Sequence, residues 1–220
     1  MDIFFLAILT FYIFYKLSKH LGKIDEEEKS KIEQKKVALI KMAQEKMQEI
    51  IKQEKFVGSN STSSDESQLL QKLDSQSKSN LEKILKTCKI NLPFFLTGAK
   101  TAFEMVLKAF SNGDLITLKS LVSEKIYQDF ENAINQRKQE GKLLVTNLIA
   151  IEQNQIIAAS QNDNIASVTV EFISKQINYI SDKNGEVIFG NKSEITEVID
   201  KWTFKRDITS PNPNWQISAT

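Results

Sequence analysis

The fold is decided by the stretch Ala166-Ser167-Val168-Thr169-Val170-Glu171-Phe172, in which apolar and polar side chains alternate. Successive side chains of a β-strand point to opposite faces, so the alternation predicts a strand with one buried face and one face in water. Strands of this kind build antiparallel sheets that are covered on one side. The stretch therefore predicts a sheet whose inner face packs against a second layer.

The sequence around this strand predicts the rest of the sheet. After Lys142 the apolar residues change from helical spacing to alternation, and β-branched residues become frequent. The segment Asp182–Gly185 has the composition of a turn between two strand ends. The candidate strands are Leu143–Ile151, Gln155–Ser160, Ile165–Ile177, Ile195–Asp207 and Trp215–Ala219.

Helices precede the sheet in the sequence. Apolar residues at spacings of three and four predict one helix over Leu69–Lys89 and a second that ends at Gly113. Asp114 is the expected N-cap of a third helix, and Ser123 is the expected N-cap of a fourth. Helices followed by an antiparallel meander predict an α+β fold with helices on one face of the sheet.

The N-terminal segment predicts a membrane anchor. Ile3–Tyr15 contains no charged residue, and although an untilted span needs about 20 residues, Lys16 and Lys19 can reach the headgroups. Because lysines follow the run and Asp2 precedes it, the positive-inside rule places the C-terminal part in the cytoplasm or its topological equivalent. The alternative is an apolar helix that packs on the domain or on a partner. The anchor candidates are Ile3, Phe5, Leu9 and Phe14.

A helical stalk and a flexible linker are expected between the anchor and the domain. Ile40, Ala43, Met47 and Ile50 recur at helical spacing in a segment rich in Glu, Lys and Gln. Their narrow stripe fits a solvated spacer, a homo-oligomeric coiled coil or a membrane-surface helix. The segment Gly58–Asp65 is rich in Ser and Asn, which is typical of a linker. The expected division is residues 1–22 anchor, 23–56 stalk, 57–67 linker, 68–91 connecting helix and 92–220 folded domain.

Composition excludes several classes of function. The net charge is +1 and lysines are interspersed with acidic residues, so nucleic acid is not an expected partner. The chain has one cysteine, Cys88, and one histidine, His20, which cannot supply the usual nitrogen and sulfur ligands of a metal site. Cys88 lies among apolar residues at helical spacing, which fits a buried side chain better than a nucleophile. We expect neither a metal nor another cofactor.

Three blocks of residues in the C-terminal part resemble a known family. In their order and spacing, over Leu92–Thr220, they are similar to the Tim44-like domain, the C-terminal domain of a mitochondrial inner-membrane import subunit and its bacterial relatives. The blocks are Phe95–Lys100 with Ala102–Glu104, Ala109-Phe110, Gly113-Asp114 and Leu118–Leu121; Tyr127, Phe130, Ala133-Ile134, Arg137 and Gly141; and Asp200–Arg206 with Pro213–Trp215.

The resemblance implies a cone-like fold similar to nuclear transport factor two, in which helices and a curved antiparallel sheet enclose an apolar pocket. It also implies a scaffold at the inner membrane with no catalytic residues. The mitochondrial members recruit a heat-shock-seventy chaperone through a longer N-terminal region, and only residues 24–55 and the linker occupy that place here. A chaperone is therefore one candidate partner among other translocation components.

A buried aromatic face is the expected binding site. Alternation puts Asp200, Trp202 and Phe204 on one face of a strand. An unfilled apolar interior would bind an acyl chain or an apolar peptide side chain. The candidates for its lining are Phe103, Val170, Trp202 and Phe204.

These features predict an inner-membrane, single-pass, non-enzymatic adaptor that binds polypeptides or membrane proteins and supports their transport, insertion or quality control. One alternative is a secretion-channel component similar to the VirB-eight proteins, whose domain lies in the periplasm. Another is an isomerase or dehydratase with Asp200 as the base, because a carboxyl beside an indole in a cavity has a raised pKa. The enzyme requires a tyrosine or a second carboxyl near Asp200, and Tyr127 and Tyr179 are the tyrosines considered.

Overall fold

The computed structural model describes residues 73–220. The predicted anchor, stalk and linker, with the anchor candidates and the first residues of the connecting helix, lie outside the described residues. Within residues 73–220 no helix has the length and apolarity required to cross a bilayer.

Within residues 73–220, four helices come first. Asp74 and Asn91 cap the first two, since their side chains accept hydrogen bonds from the backbone N–H of Ser77 and Phe94. Asp114 caps the third as predicted, whereas Ser123 occupies the N-cap position of the fourth without a capping side-chain hydrogen bond. The helices are α1 Ser75–Cys88, α2 Leu92–Asn112, α3 Leu115–Leu121 and α4 Glu124–Gln139.

In the described part of the chain, five antiparallel strands form one sheet after the helices. They are β1 Leu143–Asn162, β2 Ile165–Ser181, β3 Val187–Gly190, β4 Thr196–Asp207 and β5 Gln216–Ala219. The order across the sheet is β1-β2-β4-β5, and β3 pairs with the C-terminal end of β2. Helices packed on this sheet form a cone-like α+β domain, which confirms the predicted fold class for the described part of the chain.

The first strand differs from its prediction. The sequence predicts two strands, Leu143–Ile151 and Gln155–Ser160, but the structure has the single long strand β1. Its pairing with β2 shifts register at three places, near Ile149, Glu152 and Ile157. Each extra residue reverses the side-chain alternation and bends the strand. The pattern on which the prediction rested therefore breaks although the strand continues.

The short strand β3 is absent from the prediction. All four of its residues are exposed, so burial imposes no alternation on Val187–Gly190. The predicted turn over Asp182–Gly185 is present, since the Gly185 N–H donates to the Asp182 carbonyl and Gly185 has a φ of 86°.

Helix α2 covers the inner face of the sheet. Phe103, Val106 and Ala99 of α2 are almost completely buried, and Phe103 reaches the aromatic residues of β2 and β4. Trp215, immediately before β5, is partly buried and packs edge-on against Phe95 with ring centroids 5.0 Å apart. Trp215, the last residue of the third block that resembles the family, therefore packs against the edge of the core.

Candidate functional site

The four pocket candidates lie together in the core between α2 and the sheet. Phe103 and Val170 are 0% exposed, Trp202 is 3% exposed and Phe204 is 2% exposed. The rings of Phe103 and Trp202 lie 4.7 Å apart, and Val170 pairs directly with Trp202 across β2 and β4. Burial follows the predicted alternation of β4, in which every second residue from Asp200 to Phe204 is buried.

Phe172 belongs to the same cluster. Its ring stacks on that of Phe103 at 4.4 Å and meets that of Trp202 edge-on at 6.0 Å. The alternation of Ala166–Phe172 predicts that Phe172 shares the buried face with Val170, but Phe172 is not among the pocket candidates. The signal was present, because Phe172 continues the buried positions of β2 two residues after Val170.

Asp200 is the buried acid of this cluster. It is 5% exposed, it pairs with Phe172 across the sheet, and its Oδ2 has no hydrogen-bond partner among the described residues. Burial raises the pKa of its carboxyl to about 6, although a hydrogen bond with the side chain of Trp202 opposes the shift. The carboxyl can therefore change charge close to neutral pH.

A row of polar side chains on β2 continues the inner face beyond Phe172. Gln176 Nε2 donates to Ser174 Oγ at 2.8 Å, and Asn178 Nδ2 donates to Gln176 Oε1 at 3.1 Å. Ser174 is 0% exposed and Gln176 is 2% exposed. The sequence analysis does not name these polar residues as part of the site. The period of two along β2 nevertheless predicts that they lie on the same face as Phe172. The inner face of the sheet therefore has an aromatic wall and a hydrogen-bonded polar row, and Asp200 of β4 lies directly opposite Phe172 of β2.

Neither candidate tyrosine hydrogen-bonds to Asp200. The hydroxyl of Tyr127, on α4, donates to Glu131 Oε1 at 2.8 Å. Tyr179 lies two residues beyond Ile177 on β2, where Lys192 Nζ is 5.7 Å from its ring centroid. The neighbours that the geometry gives Asp200 are the side chain of Trp202, on the same face of β4, and Phe172, directly opposite on β2.

Cys88, at the end of α1, is partly buried and packs against the core. Burial raises the pKa of its thiol, and the nearby charge of Arg206 acts in the opposite direction. Such a thiol is a poor nucleophile at neutral pH.

Comparison with known proteins gives one matching family and two relatives, one from a plant and one from a bacterium. The family model of the Tim44-like domain matches residues 88–220. The mitochondrial import inner membrane translocase subunit TIM44-1 of Arabidopsis thaliana is 23% identical over 116 residues, which are 53% of this chain and 24% of that protein. An uncharacterized protein of Rickettsia prowazekii is 22% identical over 223 residues, covering 99% of this chain and 95% of that protein.

Among solved structures, the intermembrane space region of the chloroplast protein ARC6 superposes with a TM-score of 0.37 at 11% sequence identity. The superposition covers 56% of this chain and 92% of that one. The chain thus matches about a quarter of the length of the plant translocase subunit and nearly all of the rickettsial protein.

Proposed function

Because the chain belongs to the Tim44-like domain family, we propose that it is a membrane-associated, non-enzymatic adaptor in protein transport. The family match spans the whole of α2 to β5, and the plant relative is named as a subunit of an inner-membrane translocase. The adaptor is anchored in the inner membrane by its N-terminal segment, with the folded domain on the cytoplasmic side. It supports the transport, insertion or quality control of membrane proteins.

The aromatic inner wall is the observation that carries this proposal. Phe103, Phe172 and Trp202 come from one helix and two strands and meet within 6.0 Å. Aromatic side chains offer a large apolar surface and are enriched at sites that hold apolar ligands. An apolar side chain of a polypeptide, or an acyl chain of membrane lipid, is the occupant that such a wall accepts.

The surroundings of Asp200 support an adaptor more than an enzyme. General acid–base catalysis on a small molecule ordinarily uses two groups with separated pKa values around one substrate. Asp200 provides one such group. The two tyrosines considered for the other role interact elsewhere, because Tyr127 donates a hydrogen bond to Glu131 and Tyr179 packs against Lys192. The raised pKa and the unpartnered Oδ2 of Asp200 favour one second candidate, an isomerase or dehydratase with Asp200 as its base.

The occupancy of the aromatic interior can be measured with Trp202 as the reporter. In a full-length chain carrying Trp215→Phe, Trp202 is the remaining tryptophan. We expect an apolar peptide that carries a bromophenylalanine to quench its fluorescence, because heavy-atom quenching requires contact. Phe103→Leu should lower the affinity for the peptide about tenfold, because it removes part of the aromatic wall. Asp200→Asn should change this affinity less than about twofold.

The matched control is Phe189→Leu, which makes the same change at a ring that is 42% exposed on β3. Its peptide affinity should equal that of the parent. Absence of quenching at saturating peptide would exclude an occupied interior. Loss of activity on a small molecule in Asp200→Asn, with the aromatic variants active, would favour the enzyme.

The orientation of the domain separates the adaptor from the VirB-eight-like alternative. A reporter fused after Thr220 and active only in the cytoplasm is expected to be active in cells, and a reporter active only in the periplasm is expected to be silent. The physical reason is the excess of lysine directly after the apolar run. The opposite pattern of activity would reverse the assignment.

A further inference from the structure

The two edges of the sheet differ in whether their backbone groups are already hydrogen-bonded. At the edge formed by β1, the Ser111 hydroxyl donates to the Leu144 carbonyl at 3.0 Å and accepts from the Thr146 N–H at 3.2 Å. Further along, Asn80 Nδ2 donates to the Ala159 carbonyl at 3.1 Å. Side chains from α2 and α1 thus occupy backbone groups that another strand would need. Together with its three register shifts, they protect this edge against pairing.

The edge formed by β4 lacks such protection over most of its length. Strand β5 pairs with Thr203, Phe204 and Lys205, so within residues 73–220 no strand lies beside Thr196–Trp202. The pairing of β4 with β2 has no register shift, and β4 contains no proline. The stretch is therefore regular and suited to accept another strand.

The direction of the backbone groups at this edge follows from one hydrogen bond. Ser218 Oγ of β5 donates to the Thr203 carbonyl at 3.2 Å, so the backbone groups of Thr203 point away from β2. Because alternate residues of a strand present their N–H and C=O to the same side, those of Lys201, Ile199 and Glu197 also point away from β2. Among the described residues, no hydrogen bond outside the helices and strand ladders involves the backbone of these three residues.

The side chains of this edge are self-complementary, so that the edge of one copy matches the edge of a second copy. The Ile199 side chain lies on the outer face of the sheet and is 56% exposed, with Glu197 two residues before it and Lys201 two residues after it. A two-fold axis through Ile199 brings two copies of the edge together antiparallel. It then sets isoleucine opposite isoleucine, and each glutamate opposite the lysine of the other copy, which are favourable cross-strand pairs.

We propose that two copies of this protein associate through the β4 edge, antiparallel about Ile199, and form one continuous sheet. Glu197 already pairs with Lys175 at 2.8 Å and Lys201 with Glu171 at 3.8 Å. Their side chains remain 49% and 63% exposed, so the contacts between copies extend these pairs into networks. On the inner face, the partner's Val198 lies opposite Asp200 and lengthens the wall of the site.

The self-complementary charges provide a test in the full-length chain. Glu197→Lys alone places like charges opposite each other, and so does Lys201→Glu alone. Each single variant should weaken the dimer about tenfold or more relative to the parent. An equimolar mixture of the two variants restores both opposite-charge pairs, as does the double variant Glu197→Lys/Lys201→Glu. Both are expected to be dimers by sedimentation in detergent.

The matched control is Lys205→Glu, which makes the same charge change on the same strand beside β5 and should leave the dimer intact. Circular dichroism melting verifies that every variant is folded. A parent that is monomeric at its highest soluble concentration would overturn the proposal. So would single variants that dimerise as the parent does, since association would then occur elsewhere in the chain.

Discussion

Replacing Phe103 by alanine is expected to lower the free energy of unfolding by about 3–5 kcal/mol. The side chain is 0% exposed, and its ring lies 4.4 Å from that of Phe172 and 4.7 Å from that of Trp202. Removing it leaves a cavity between α2 and the sheet that the two remaining rings, fixed on β2 and β4, cannot fill. Urea denaturation followed by circular dichroism measures the change.

Phe189→Ala is the matched control for this substitution. Phe189 is 42% exposed on β3, so its loss should cost less than about 1 kcal/mol. A change below about 1 kcal/mol for Phe103→Ala would contradict the packing of α2 on the aromatic wall.

Replacing Asp200 by asparagine is expected to stabilise the protein at pH 7 by up to about 3 kcal/mol. This gain is expected because burial raises the carboxyl pKa from 3.8 to about 6, and each pKa unit corresponds to about 1.4 kcal/mol. Because the pKa is raised in the folded state, ionisation of Asp200 costs the wild type no stability below about pH 4. This cost grows as the pH rises and is complete once the pH has passed about 6. The asparagine variant carries no charge at this position and avoids that cost.

The measurement is the difference in unfolding free energy between wild type and Asp200→Asn from pH 4 to pH 8. The advantage of the variant should be smallest near pH 4 and constant above about pH 7. Asp207→Asn is the control on the same strand, because hydrogen bonds from Thr209 lower the pKa of that exposed carboxyl. Its effect should have the opposite sign, with wild-type stability decreasing as the pH falls. A pH-independent difference for Asp200→Asn would show that its carboxyl is solvated in the folded protein.

The sequence by itself determined the features that depend on neighbouring residues. The cap at Asp114, the helix end at Gly113 and the turn before Gly185 follow from side-chain hydrogen bonds and backbone angles within a few positions. The alternation of β4 identified Asp200, Trp202 and Phe204 as one buried face for the same reason. The blocks that indicated the family also lie in the sequence alone.

Tertiary structure decided what depends on residues far apart in the chain. Phe103 meets Phe172 and Trp202 only because α2 crosses the sheet, and the raised pKa of Asp200 exists only because that packing removes water. Strand β1 continues through three bulges where its alternating pattern breaks. Strand β3 consists of exposed residues and forms because it pairs with β2. The open edge of β4 likewise follows from where β5 ends, because strand neighbours are set by the whole sheet and no local pattern encodes them.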